Sequence, residues 1–138
     1  MNTNNFSVGV DIESVIKFRN LNKVKSKKFL SKIFTKKEVD YCFSKQHPDQ
    51  HLAARFVGKE AVIKALKSVG IKGQLIQLGN IEITNNAEGV PSVTFRYEEN
   101  AKDKNIIDNA KIVVSLSHCE DKAMAVALIA FGVANRKI

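Results

Sequence analysis

Two carboxylates in this sequence stand where carboxylates are costly, and together they could hold a hard cation. Asp11 closes the alternating run Phe6-Ser7-Val8-Gly9-Val10-Asp11-Ile12. On a strand, Phe6, Val8, Val10 and Ile12 share one face, and Ser7, Gly9 and Asp11 share the other. Gly9 leaves space on the Asp11 face, and a strand glycine often marks close approach by a ligand or another backbone. Glu60 falls inside the apolar stripe of a long helix. At about 100° per residue, Leu52, Phe56 and Ile63 lie on one arc, with Glu60 roughly 40° from Phe56. A carboxylate there needs an ion, a cation or strong hydrogen bonds. Two carboxylates on separate elements suit magnesium, which leaves its other positions to water and phosphate oxygens. Each also has a structural alternative. Asp11 could cap a following helix, and Glu60 could pair with Lys64 one turn on. Lys59, on the opposite shoulder, and Arg55, further round, bring other cations near Glu60.

The elements that must position these residues are legible from periodicity. After the first strand, Val15, Ile16, Phe18 and Leu21 predict a helix that ends in a lysine-rich stretch. Phe29, Leu30, Ile33 and Phe34 repeat at helical spacing. Thr35-Lys36-Lys37-Glu38 has the form of a capping box, opening a short helix with Val39, Tyr41, Cys42 and Phe43. Pro48 suits the first turn of the long helix, expected from about Asp49 to Ser68 and stopping near Gly70. Ile71-Lys72-Gly73-Gln74 reads as a loop. Ile81–Thr84 and Val93–Phe95 form a hairpin through Asn85-Asn86-Ala87-Glu88-Gly89-Val90-Pro91. The polar stretch 98–111 reads as a short helix or loop. Ile112–Ser117 and Met124–Ile129 are the last strands, turning through His118-Cys119-Glu120-Asp121-Lys122. This order predicts a single α+β domain over residues 1–138, with a mainly antiparallel sheet, one long helix and several short ones.

Composition narrows the function classes. The chain has 138 residues, ordinary apolar content, and no run near the roughly 20 apolar residues of a membrane span. Residues 1–5 are polar, carry no Lys or Arg, and do not read as a secretion signal. Cys42 and Cys119 have neither zinc-site nor disulfide spacing, which predicts two free thiols and a cytoplasmic location. His47 and His51 are four apart, but Pro48 and the helix start argue against a rigid metal pair. Tyr41 and Phe43 read as apolar packing rather than a base-stacking platform, which needs several aromatics along a groove. The net charge is +8, and the acid-free interval Lys17–Lys37 alone holds nine basic residues. Such a patch attracts an anionic partner, but charge alone does not choose among nucleic acid, acidic membrane and acidic protein. One reading is therefore a basic binding module in which Glu60 merely neutralises Lys64.

Four segments narrow the choice. Val8-Gly9-Val10-Asp11-Ile12-Glu13 resembles the G-x-D motif of the holo-acyl-carrier-protein synthases, the small single-domain group of 4′-phosphopantetheinyl transferases. Phe29 to Glu38 resembles that family's F-x-x-x-x-F-T-x-x-E segment. Leu52 to Leu66 is similar to its A-R-F and K-E-A-x-x-K-A motif, and Ser115-Leu116-Ser117-His118 to its third. The segments occur in the family's order from about Phe6 to Ile129. A lone G-x-D would carry nothing, whereas the K-E-A helix together with S-L-S-H is specific.

The resemblance implies a 4′-phosphopantetheinyl transferase-like fold and an enzyme that moves phosphopantetheine from coenzyme A to a serine of apo-acyl carrier protein, releasing 3′,5′-ADP. It implies that Asp11 and Glu60 are ligands to Mg2+. Lys64 would meet a phosphate as a point charge, and Arg55 and His118 would contact coenzyme A around its phosphates. It implies an acidic carrier protein docked through Lys17, Lys28 and Phe29, with lysine where arginine is common. Neither nucleic acid nor membrane is then the partner. A homotrimer is implied as well, with sites at subunit boundaries, so Arg55 or His118 could serve a neighbour's coenzyme. One position departs from the pattern: Gly89-Val90-Pro91 stands where the family usually has G-K-P, and one cation near the coenzyme is missing.

Overall fold

A computed structural model describes residues 6–98 and 103–132. Residues 1–5, read above as no secretion signal, and residues 99–102 of the polar stretch lie outside these. The alternating first segment forms β1 (Phe6–Ser14). It pairs antiparallel with β5 (Lys122–Phe131), which pairs antiparallel with β4 (Ala110–His118), giving a sheet in the order β1-β5-β4. A separate hairpin joins β2 (Ile81–Asn85) to β3 (Pro91–Phe95). The helices are α1 (Lys27–Ile33), α2 (Lys36–Phe43), the 21-residue α3 (Pro48–Ser68) and a short α4 (Lys104–Asp108). The fold is α+β with antiparallel sheets, as the order of elements predicts. His118 and Lys122, read as turn residues, end and begin the last two strands, which lengthens both.

Helix α3 is the core. It carries Pro48 at its start, as expected, and lies across the β1-β5-β4 sheet. Leu52, Ala53, Val57, Ala61, Val62, Ala65 and Leu66 are fully buried, and small residues on β5 (Ala123, Ala125, Ala127) let it settle close. Capping of α2 also follows the sequence. The Glu38 amide donates to the Thr35 hydroxyl, and the Thr35 amide donates to the Glu38 carboxylate.

One expectation changes, and one open choice is settled. The helix read from Val15 to Leu21 is a single 3₁₀ turn, Val15–Phe18. Asn20 adopts φ 67°, which a right-handed helix cannot pass through. The Asn22 side chain then accepts from the amides of Val24 and Lys25, so a turn takes the place of a helix until Lys27. Of the two faces of β1, the small one turns inward. The Ser7 hydroxyl donates to the Ala65 carbonyl at 2.7 Å, and Gly9 rests against the backbone of Ala61 and Ala65. The apolar face of β1 is the open one: Phe6 is 68% exposed, and Val8, Val10 and Ile12 are exposed beside it. Met124, Val126 and Leu128 of β5 and Val113 of β4 extend this face across the sheet.

Candidate active site

Where β1 meets α3, the first cluster forms. Gly9 brings the strand so near Ala61 that Asp11, two residues along on the same face, reaches the next turn of the helix. There the Lys64 ammonium donates to Asp11 Oδ1 at 2.9 Å and to the Val10 carbonyl at 3.0 Å. The ion pair at Lys64 is therefore with Asp11, not with Glu60, and β1 runs on past Asp11 without any helix for it to cap. The hydrogen bond to Asp11, and then its charge, hold the Lys64 ammonium above its ordinary pKa.

Glu60 sits one turn before Lys64 on the side of α3 that is least covered. The helix is buried on almost every other side, so Phe56, Glu60, Lys64 and Lys67 form its open strip rather than an apolar stripe. Burial first, and the Asp11 charge second, push the Glu60 carboxyl above its ordinary 4.5, with Lys64 and Lys67 opposing. Among the described residues Glu60 forms no ion pair, and no group of three or more His, Cys, Asp or Glu gathers anywhere. Asp11 and Glu60 thus offer two adjacent carboxylates and no closed cage. That donor set fits magnesium, which keeps positions for water and substrate phosphates, better than it fits a structural zinc site.

A second cluster surrounds Arg55. It is only 2% exposed, an unusual place for a guanidinium. Its plane lies 4.0 Å over the Tyr41 ring, and one terminal nitrogen donates to Asn85 Oδ1 at 3.4 Å. Its Nε is buried without any partner. Arg55 lines a cavity of about 310 Å³ with Tyr41, His51, Asn85, Pro91 and His118. The rings of His51 and His118 meet edge to face at 5.2 Å. Burial, then the neighbouring His118, lower the His51 pKa, leaving a neutral imidazole in the cavity. A guanidinium and two imidazoles therefore line one cavity, a set of donors that suits an anion. Sequence reasoning found Arg55 and His118 but missed Tyr41, His51 and Asn85. On sequence Tyr41 reads as apolar packing, and Pro48 argues against His51 as half of a rigid metal pair. The structure makes one a stacking surface for Arg55 and the other a neighbour of His118.

The two clusters do not meet within one chain. Asp11 lies on one edge strand and His118 on the other, with β5 between them, so their backbones are roughly 10 Å apart. Around α3, Arg55 and Glu60 are five residues apart and point about 140° from one another. Of the docking candidates, Lys28 and Phe29 are exposed on α1, whereas Lys17 sits on the 3₁₀ turn and pairs with Glu13 at 2.9 Å. They do not share one basic helix. Lys59, read as a cation near Glu60, is wholly buried and bound to Glu38 instead.

The 4′-phosphopantetheinyl transferase superfamily model matches residues 7–127. A holo-[acyl-carrier-protein] synthase from Thermodesulfovibrio yellowstonii is 43% identical over 122 residues, covering 88% of this chain and 96% of that protein. One from Chlamydia muridarum is 39% identical over 89% of this chain and 93% of its own length. Among solved structures, the Chronobacterium ammoniagenes ACPS–CoA complex superposes with a TM-score of 0.73 at 26% identity, covering 91% of this chain and 97% of that one. The Helicobacter pylori holo-[acyl-carrier-protein] synthase in complex with coenzyme A gives 0.69 at 29% identity, covering 89% and 99%.

Proposed function

The chain belongs to the 4′-phosphopantetheinyl transferase superfamily, and from that membership we propose that it modifies an apo-acyl carrier protein, with coenzyme A as donor and Mg2+ as cofactor. The observation that carries this reading is the convergence of the G-x-D and K-E-A segments, with Lys64 bound to Asp11 beside Glu60. The carrier's serine oxygen attacks the phosphorus that bears the pantetheine arm. A new P–O ester forms, the bond to the bridging oxygen breaks with its electrons on that oxygen, 3′,5′-ADP leaves, and the serine proton passes to water or to a site carboxylate.

Each residue has a part in that step. Asp11 and Glu60 hold the metal, and magnesium bound there supplies charge neutralisation of the pyrophosphate. Lys64 fixes Asp11 and presents its remaining ammonium hydrogen to a phosphate oxygen; an ammonium has three donors, and two are engaged. Arg55 and His118, which line one cavity, take the negative end of the nucleotide. The absence of a lysine at Val90 leaves that task to Arg55, the one guanidinium lining the cavity among the described residues. Lys17, Lys28 and Phe29 receive the acidic carrier protein.

The active form is a homotrimer with sites at subunit boundaries. Two features support this: the exposed apolar face of Val8, Val10, Ile12, Met124, Val126 and Leu128, and the separation of the two clusters onto opposite sheet edges. One copy supplies Asp11, Glu60 and Lys64, and its neighbour supplies Arg55 and His118.

The test incubates the protein with coenzyme A, magnesium and an apo carrier protein, and reads the carrier's mass. A phosphopantetheine-sized gain is expected, lost in Asp11→Ala and Glu60→Ala with folding intact and lost on chelating the metal. No gain with any acidic carrier would overturn the reading. Unchanged transfer by both variants would overturn the assigned metal ligands.

A further inference from the structure

Lys59 and Glu38 are the most completely buried ions among the described residues, and the transfer chemistry uses neither. Lys and Glu are almost never fully buried unless paired. Here Lys59 is 0% exposed and Glu38 1%. The Lys59 ammonium spends all three donors: on Glu38 Oε1 at 2.5 Å, on the Ile33 carbonyl at 2.6 Å and on the Leu78 carbonyl at 3.1 Å. Glu38 in turn accepts from the amides of Thr35 and Ile83, at 2.9 and 3.0 Å. One ion pair thereby ties α3 to the end of α1, the start of α2, the 3₁₀ turn Leu78–Asn80 and strand β2.

Stability alone is a weak reason for such a pair, because apolar residues of similar volume often serve as well or better. What apolar residues cannot do is hold four backbone groups at fixed distances. Two of the consequences reach the active site. Lys59 immediately precedes Glu60 on a rigid helix, so whatever fixes the rotation of α3 at Lys59 fixes the aim of the Glu60 carboxylate. Ile83 belongs to the strand that leads into Asn85, Gly89 and Pro91, which wall the Arg55 cavity.

We propose that the Lys59–Glu38 pair is a positioning element of the transferase site, setting the rotation of α3 that aims Glu60 and the seat of the hairpin that closes the Arg55 cavity. The inference rests on the reading of the chain as a magnesium-dependent transferase. A preorganised site tolerates only about 10–20° of such rotation, and a misplacement near 1 Å can cost roughly 10²-fold in rate.

The experiment measures transfer to apo carrier protein over a magnesium titration, with each full-length variant held below its own melting transition. Glu38→Gln and Lys59→Met are expected to lower kcat about 10²-fold and to raise the magnesium needed for half-maximal rate. KM for the carrier protein stays near its original value. The double variant Glu38→Leu/Lys59→Met keeps the volume filled without leaving a lone buried charge, so it remains assayable where a single variant does not fold. It is expected to show the same kinetic loss. A merely structural pair would change the melting temperature and leave kcat and the magnesium requirement unmoved in the folded fraction; that result, in any folded variant, overturns the proposal. Failure of the unsubstituted protein to modify any carrier would remove the transferase reading itself, and with it this role.

Discussion

Gly9→Ala is the sharpest probe of how the site is assembled. A Cβ built on Gly9 would lie 2.0 Å from the Ala61 carbonyl oxygen and 2.8 Å from the Ala65 nitrogen, the two ends of one α3 hydrogen bond. Neither atom can swing aside, since both are backbone. Opening 2.0 Å to the 3.4 Å of an ordinary contact takes a retreat of about 1.4 Å between strand and helix. Overpacking of this kind costs about 3 kcal/mol or more, which for a chain of this size lowers Tm by about 10 °C. The same retreat pulls Asp11 away from Glu60 and Lys64. Since a 1 Å misplacement is worth roughly 10²-fold, transfer by the folded fraction should fall at least that far. Differential scanning calorimetry gives the first number, and carrier-mass kinetics below the transition gives the second. Gly89→Ala is the comparator. Its φ of 81° is strained for alanine but nothing stands within 4 Å, so a loss of about 1–2 kcal/mol is expected without the packing penalty. A Gly9→Ala protein with unchanged Tm and rate would refute the claim that close backbone approach, rather than chain flexibility, is why glycine stands there.

Other expectations follow from the same geometry. Because Glu60 titrates above its ordinary 4.5, the stability that its protonation lends the metal-free fold is present at low pH and lost as pH rises through that raised value. Activity runs the other way, since only the carboxylate binds metal. The acid limb of kcat/KM should therefore lie above 4.5 at limiting magnesium and move down as magnesium rises. Arg55→Lys removes a planar fork stacked on Tyr41 and should weaken coenzyme A binding about tenfold by titration calorimetry, with little change in Tm. Val126→Glu places a charge in the middle of the exposed apolar face and should shift light-scattering mass towards monomer, with activity falling in parallel. A variant that stays assembled, or a monomer with full activity, would count against the shared site.

The elements were legible because their signals are local. The capping box at Thr35–Glu38 and Pro48 at the start of α3 act within a turn of chain. The hairpin from Ile81 to Phe95 is announced by its own Asn, Gly and Pro. The lost helix after Val15 shows the limit, because one left-handed Asn20 outweighed an apolar spacing that looked helical.

Residue types and order were enough to attach the chain to a family and to nominate Asp11, Glu60, Lys64, Arg55 and His118 as candidates. They could not say which side of β1 faces inward, since alternation gives two faces and no sign. Tertiary packing decided it: only the Ser7-Gly9-Asp11 face is small enough to lie against the α3 backbone, and the apolar face was left for another surface. Nor could sequence say that Lys64 would choose Asp11, 53 residues away, over Glu60 one turn away. Likewise, nothing local told that Lys59 would be buried and Glu60 left partly open. Helical periodicity ranks positions by angle, but burial depends on what the rest of the chain lays over each angle. Here α2, β2 and the Leu78 turn cover Lys59, and Glu60 faces the side they leave open.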